Sequence, residues 1–157
     1  MSQVTLSAIL CNYNHSHFIR EALQSILDQS CQPDEVVLVD DGSTDNSVQV
    51  IEEFINKNRC STFRLFKNEQ NQGLMSAGNR ALELTSGDYI VGLAADDRWL
   101  PGYLENSMNV LTQYPQAALC CSDFMTFEDE TGHSREHRLY LSDRPAISLL
   151  NSWLRLS

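Results

Sequence analysis

Three short polar clusters carry the side chains of this sequence that are best suited to chemistry. They are Asn12-Tyr13-Asn14, Asp40-Asp41-Gly42-Ser43 and Asp96-Asp97. Neighbouring Asp carboxylates offer the hard oxygen ligands that Mg²⁺ and Mn²⁺ take, often together with substrate phosphates. A carboxylate is also an acceptor only, so it can select the N–H of a nucleobase. The clusters therefore indicate a site for a phosphorylated ligand and a divalent cation.

The charge of the whole chain sharpens this interpretation. The formal net charge is -10 at pH 7, which excludes a nucleic-acid partner, because phosphate backbones require clustered Lys and Arg. Four carboxylates gathered at one place also repel one another unless a cation or hydrogen-bond donors compensate. A divalent metal ion would relieve this repulsion and would allow an acidic protein to hold a phosphate.

Each polar cluster follows an apolar run that predicts a buried strand, at residues 4–11, 35–40 and 89–94. Further strands are predicted at 63–67 and within 117–127, and helical apolar stripes separate the strands. The first of these helices is predicted at 17–29 with Ser16 as its N-cap. The polar segment 128–138 predicts a loop, and residues 146–156 predict a final helix.

Strands that alternate with helices predict an α/β fold, with a Rossmann-like, mostly parallel central sheet and helices on both faces. Ligands of such sheets bind beyond the carboxyl ends of the strands. We therefore expect the three polar clusters to share one edge of one sheet, although Asp40-Asp41-Gly42-Ser43 by itself is equally typical of a turn that caps the following helix.

The remaining composition is that of a globular chain of 157 residues, enough for one domain. Five Cys without a CxxC pair predict reduced thiols and a cytoplasmic location. The first residues lack the features of a signal peptide, and no run of 18 apolar residues predicts a transmembrane segment. A peripheral place at the inner face of the membrane is compatible with these features.

Four segments, taken in order, resemble the family 2 glycosyltransferases of the GT-A fold. They are SAILCNYNHSHFIREALQSILDQS, EVVLVDDGSTDNS, NQGLMSAGNRALELTSGDYIVGLAADD and the P-x-x-L helix that follows. The resemblance covers residues 4–127 and implies one glycosyltransferase domain over residues 1–157. It also implies the transfer of a sugar from a nucleotide diphosphate sugar, UDP-sugar foremost, to a saccharide, lipid-linked or other hydroxyl acceptor, with inversion and with Mn²⁺ or Mg²⁺.

The resemblance assigns roles to six residues by position. Cys11 and Tyr13 line the base pocket, Asp41 accepts a hydrogen bond from the base N–H, and Asp40 supports the same turn. At the end of the later strand, the two acidic residues contact the ribose and the metal ion, respectively, and these are Asp96 and Asp97.

The sequence departs from the family pattern at several places. Ala94 stands where many members have Asp, and Gly78 stands before Asn79 where many have Arg. The general base of inverting members is expected beyond Ser157, so no catalytic residue is assigned and the acceptor-binding side is expected to be truncated. We then expect donor binding with little transfer, and exposed apolar surface that favours self-association.

Other functions are open or disfavoured on the same residues. A nucleotide-sugar-binding module without turnover would have the same donor-site residues. A phosphatase of the haloacid dehalogenase type is disfavoured, because Asp40 and Asp41 are adjacent and cannot lie two residues apart on one side. A dinucleotide-dependent dehydrogenase is disfavoured because no GxGxxG follows the first strand.

Overall fold

The computed structural model describes residues 4–127 and 134–137, and these residues form alternating strands and helices. The strands are β1 (Leu6–Asn12), β2 (Glu35–Asp40), β3 (Phe63–Lys67), β4 (Tyr89–Ala94), β5 (Phe124–Phe127) and β6 (Ser134–His137). The helices are α1 (Ile19–Leu27), α2 (Ser47–Asn58), α3 (Leu74–Glu83) and α4 (Tyr103–Gln113). The chain divides into two compact units, one up to Tyr103 and one from Leu104 onward.

The first unit is built around a parallel sheet in which the strands follow the order β3-β2-β1-β4. In this register Asn12 lies beside Asp40, and Cys11 lies beside Ala94. Because the strands run in the same direction, the carboxyl ends of β1, β2 and β4 meet at one edge. The predicted α/β fold with a mostly parallel sheet is confirmed, and so is the prediction that the three strands are neighbours.

Helices cover both faces of this sheet, as the sequence predicts. Alternate residues of a strand point to opposite faces, so Leu38 packs in one cluster with α1 and α2, whereas Val37 and Val39 pack with α3. Phe54 of α2 is fully buried in the first cluster, and burial of such a side chain contributes about 1.5–3 kcal/mol. The two apolar layers fix the sheet edge that carries the polar clusters.

The start of α1 differs from the prediction. The helix begins at Ile19, the residue before it is Phe18, and no side chain caps its first turn. Ser16 was predicted as the N-cap, and this prediction is wrong. Its backbone N–H instead donates to Asp45 Oδ2 at 3.0 Å, so Ser16 joins the β1–α1 loop to the turn before α2.

The second unit also corrects one prediction. Residues 134–137 form strand β6, which pairs antiparallel with β5, although the charged segment 128–138 predicted only a loop. Backbone pairing with a neighbouring strand overrides the weak strand preference of a charged sequence. The helix predicted at 146–156 lies outside the described residues. None of the helices in the described part of the chain has the length and apolar character needed to cross a bilayer.

Candidate functional site

Hydrogen bonds join the end of β1 to the turn after β2. Asn12 Nδ2 donates to Asp40 Oδ2 at 2.7 Å, and the backbone N–H and hydroxyl of Ser43 donate to the same carboxylate at 2.9 and 2.6 Å. Asp40 is 1% exposed. Asn14 has a left-handed φ of 57°, which Asn tolerates, and its side-chain oxygen accepts from Thr44 N at 2.8 Å. The Asp40 carboxylate therefore shapes the turn and does not face solvent.

Asp41, the next residue, holds a loop that comes from β3. Its carboxylate accepts from Asn68 Nδ2 at 2.5 Å, from Gln72 N at 3.0 Å and from Gly73 N at 2.8 Å. Asp41 is 3% exposed. We call residues 68–73 the β3–α3 loop. Because all of these partners are donors, the loop is built around the acceptor oxygens of Asp41.

Gly42 allows the same loop to approach the turn after β2. A Cβ at this position would lie 2.6 Å from the backbone carbon of Gln70, and Gly42 has a φ of +71°. The positive φ favours glycine, and the close approach of Gln70 requires it, because any other residue would place a Cβ in this space. Gly42 and Asp41 together fix the path of the β3–α3 loop into α3.

Arg80 reaches back from α3 to the start of the loop. Its guanidinium donates to Asn68 Oδ1 and, at 3.3 Å, to the carbonyl of Lys67. The Asn68 amide is thereby oriented, because its oxygen accepts from Arg80 while its nitrogen donates to Asp41. The Asn68 side-chain amide therefore links the Arg80 guanidinium to the buried Asp41 carboxylate by two hydrogen bonds.

The end of β4 contributes two acidic residues that, unlike Asp40 and Asp41, are exposed. Asp96 and Asp97 lie in the segment after β4, and both side chains are exposed. Asp97 N donates to the carbonyl of Ala94 at 3.1 Å, which closes the turn. The neighbouring Arg98 pairs with Glu21 of α1.

The carboxylate ligands at the end of β4 suit one kind of metal site. In residues 4–127 and 134–137, no group of three His, Cys, Asp or Glu side chains converges to form a ready-made metal site. Mg²⁺ is often bound by one or two carboxylates together with substrate phosphates and water. The exposed pair Asp96 and Asp97 suits such a shared site and does not suit a closed protein cage.

A cleft of about 590 Å³ opens between β1, β4 and α3. Its lining residues are Ile9, Cys11, His15, Leu74, Met75, Gly78, Asn79, Leu82, Gly92, Leu93, Ala94, Ala95 and Asp96. Two of the residues predicted from sequence, Cys11 and Asp96, therefore share this cleft. Tyr13, 40% exposed, and Asp97 lie at the same edge of the sheet but outside the lining, whereas Asp40 and Asp41 are buried.

Cys11 lines the cleft as a neutral group. Burial raises the pKa of its thiol, and the negative charge of the nearby Asp41 raises the pKa further. The thiolate is the nucleophilic form of cysteine, so Cys11 stays protonated at neutral pH and acts as a wall of the cleft.

Some lining residues were not assigned from the sequence, notably His15, Leu74 and Met75. Leu74 and Met75 are 74% and 77% exposed, and they precede the buried stripe of α3 formed by Ala77 and Ala81. Two large apolar side chains at the start of a helix, outside its buried stripe, are the signal that could have identified them.

Comparisons with known proteins agree with this geometry. The family model described as Glycosyl transferase family 2 matches residues 7–155. The crystal structure of S. aureus TarS 1–349 in complex with UDP-GlcNAc is 28% identical, with a TM-score of 0.65, over 73% of this chain and 33% of that chain. The mannosyltransferase PcManGT from Pyrobaculum calidifontis, in complex with GDP-Man and Mn²⁺, is 26% identical, with a TM-score of 0.69, over 78% of this chain and 37% of that chain.

Curated relatives of this chain are likewise named as glycosyltransferases. A UDP-Glc:alpha-D-GlcNAc-diphosphoundecaprenol beta-1,3-glucosyltransferase, WfgD of Escherichia coli, is 32% identical over 71% of this chain and 42% of its own length. The chain spans less than half the length of the curated relatives that it matches.

Proposed function

Since this chain belongs to glycosyl transferase family 2, we propose that it is the donor-binding part of an enzyme that transfers a sugar from a nucleotide diphosphate sugar to an acceptor hydroxyl. One observation carries the proposal: the parallel sheet brings the ends of β1, β2 and β4 to one edge, where a cleft and an exposed pair of carboxylates lie. The complexes of TarS with UDP-GlcNAc and of PcManGT with GDP-Man support this class of donor.

In this proposal the nucleobase of the donor lies near the ends of β1 and β2. Tyr13 is exposed and offers a flat ring, and Cys11 forms a neutral wall. Asp41 accepts from the base N–H. A carboxylate can accept about four hydrogen bonds, and three protein donors already bind the Asp41 carboxylate. The nucleobase N–H would therefore donate the remaining hydrogen bond to a carboxylate that the protein donors hold in place.

The phosphates lie near the end of β4. In the proposed complex Asp96 would contact the ribose, and Asp97 would hold Mn²⁺ or Mg²⁺ together with oxygen ligands from the diphosphate. The metal ion, when bound, stabilises the negative charge of the departing diphosphate. A bound metal ion would also offset the repulsion between a diphosphate and a chain with a net charge of -10, since Arg98, the neighbouring cation, already pairs with Glu21.

Transfer proceeds by a single displacement with inversion. A general base deprotonates the acceptor hydroxyl, whose oxygen bonds to the anomeric carbon of the sugar as the bond from that carbon to the nucleoside diphosphate breaks. We assign no base within the described residues. The acceptor is a saccharide, a lipid-linked sugar or another hydroxyl compound, in keeping with the lipid-linked acceptor in the name of WfgD. We propose that residues 1–157 belong to one glycosyltransferase domain, in which the first compact unit, with its parallel sheet, binds the donor.

A thermal-shift panel tests the proposed donor class. UDP, UDP-glucose, UDP-GlcNAc and GDP-mannose are added with Mn²⁺, and we expect UDP and its sugars to raise the melting temperature. Tyr13→Ala should reduce the shift, whereas Asp28→Asn should retain it, because Asp28 is an exposed carboxylate at the end of α1. A chain that no nucleotide stabilises would contradict the proposal.

A further inference from the structure

Gly78 lies in the interior of α3, and nothing in the described part of the chain requires glycine there. Glycine is less favourable than alanine inside a helix, and it is retained where φ is left-handed or where a Cβ would collide. The positive-φ glycines of the described chain are Gly42, Gly73 and Gly102, so Gly78 is not among them. Apart from its two chain neighbours and the backbone of α3 itself, no atom of the described residues lies within 4 Å of the position that a Cβ of Gly78 would take.

Two other glycines are required by close contacts within the chain. A Cβ on Gly42 would meet the Gln70 backbone at 2.6 Å, and a Cβ on Gly87 would meet Ser7 Oγ at 2.5 Å. Both glycines are therefore explained by contacts within the chain. Gly78 has no such contact, and it lines the cleft.

A second glycine of the same kind lines the cleft from β4. Gly92 lies in the middle of this strand. Apart from its chain neighbours, the described atom nearest to its Cβ position is Ile9 Cγ1 at 3.8 Å, an ordinary contact that alanine could make. Glycine inside a strand weakens the sheet and marks the close approach of a ligand or of another backbone. Two different elements thus omit a side chain at the same cleft.

The rest of the lining suggests what approaches these glycines. Most of the lining side chains are apolar, and the polar groups are few: Asn79, Asp96 and His15, whose buried Nδ1 has no hydrogen-bond partner among the described residues. A pocket with apolar walls and a few polar groups is typical of sites for small organic ligands, and about 590 Å³ lies in their usual range. A nucleobase, with flat apolar faces and a polar edge, has the matching chemistry.

We propose that Gly78 is a specificity-determining residue, against whose backbone one edge of the donor nucleobase lies where the cleft opens beside Cys11 at the end of β1. The proposal rests on the proposed function, because Cys11 and Asp96, the suggested base wall and ribose contact, line the same cleft. Any side chain at position 78 takes up the volume that the base needs. Glycine at position 78 therefore lowers the stability of α3 and leaves room for the nucleobase.

The test uses two substitutions whose effects on stability and on binding have opposite signs. Gly78→Ala should raise the melting temperature of the free chain by about 2–4 °C, because alanine favours the helix and meets no obstacle. The same change should raise the dissociation constant of UDP with Mn²⁺ about threefold or more, and Gly78→Leu should raise it at least tenfold. Calorimetry with UDP measures the binding, and GDP in parallel shows which base size is affected more.

A matched control lies on the same helix. Glu83 is exposed at the end of α3 and is not part of the cleft, so Glu83→Gly should lower the melting temperature and leave the dissociation constant of UDP unchanged. Unchanged UDP affinity in both Gly78 variants would overturn the inference and leave the proposed function intact. Absence of UDP and GDP binding to the unaltered chain would instead count against the proposed function.

Discussion

The buried carboxylate of Asp41 provides a prediction that separates its charge from its shape. Its oxygens accept from Asn68 Nδ2, Gln72 N and Gly73 N, and each of these groups can only donate at that contact. Asp41→Asn preserves the size of the side chain but replaces one acceptor oxygen with a donor. We therefore expect Asp41→Asn to destabilise the fold almost as much as Asp41→Ala.

The magnitude follows from the two possible orientations of the new amide. In one orientation its NH₂ group faces Asn68, which contacts Oδ1 at 2.5 Å, and in the other it faces Gly73, which contacts Oδ2 at 2.8 Å. Either orientation leaves at least one donor without an acceptor at a residue that is 3% exposed. An unsatisfied buried donor costs about 1–3 kcal/mol, and hydrogen bonds to charged groups contribute about 1.5–3 kcal/mol. We expect Asp41→Asn to lower the free energy of unfolding by about 2–3 kcal/mol.

Urea unfolding at pH 7 measures this change as a lower midpoint with an unchanged slope. Asp96→Asn is the control, because Asp96 is exposed and surface substitutions usually change stability by less than about 0.5 kcal/mol. Hydrogen exchange adds a local reading, since the amides of Gln72 and Gly73 should exchange faster in Asp41→Asn. An Asp41→Asn variant within about 0.5 kcal/mol of the unaltered chain would refute the reasoning.

Three further predictions concern neighbouring groups. Although burial raises the pKa of Asp45, hydrogen bonds from Ser47 and Ser16 outweigh this effect and lower the pKa to about 2. The resulting stabilisation is complete above the ordinary value of 3.8 and is lost as the pH falls through about 2. Asp45→Asn should therefore flatten the acid limb of stability between these values, and an unchanged limb in urea titrations would contradict this. Gly42→Ala should lower the free energy of unfolding by about 2–4 kcal/mol, because its Cβ collides with backbone at 2.6 Å; a variant that unfolds at the original urea concentration would be inconsistent with the collision. The raised pKa of Cys11 should make its alkylation by iodoacetamide at pH 8 slower than that of the exposed Cys121, and faster labelling of Cys11 by mass spectrometry would argue against a neutral thiol.

Local sequence patterns predicted the strands of the parallel sheet well. Residues 35–40, 63–67 and 89–94 form strands with the predicted bounds, because apolar and β-branched runs bounded by turn residues leave few alternatives. The placement of the polar clusters at one edge followed from the parallel topology alone. The predicted cap at Ser16 failed because its partner, Asp45, is 29 residues away, and a local pattern carries no information about such a contact.

The interior of the candidate site was harder to predict for the same reason. The partners of Asp41 lie 27 to 32 residues along the chain, so the sequence indicated a polar turn but not the loop that it holds. Gly78 was visible in the sequence only as a departure from a family pattern. Its meaning depends on the space that the described residues leave open around its Cβ position, and this space is defined only once α3 and β4 have packed together.

The most direct test of the central claim is a calorimetric titration of UDP into the unaltered chain, once with Mn²⁺ and once with EDTA. In the proposed complex the exposed Asp97 would hold a divalent metal ion that neutralises charge on the diphosphate. We predict that UDP binds with Mn²⁺, that EDTA removes most of this binding, and that Asp97→Ala behaves with Mn²⁺ as the unaltered chain does with EDTA. Equal affinity for UDP in the two buffers, or full Mn²⁺-dependent binding by Asp97→Ala, would contradict it.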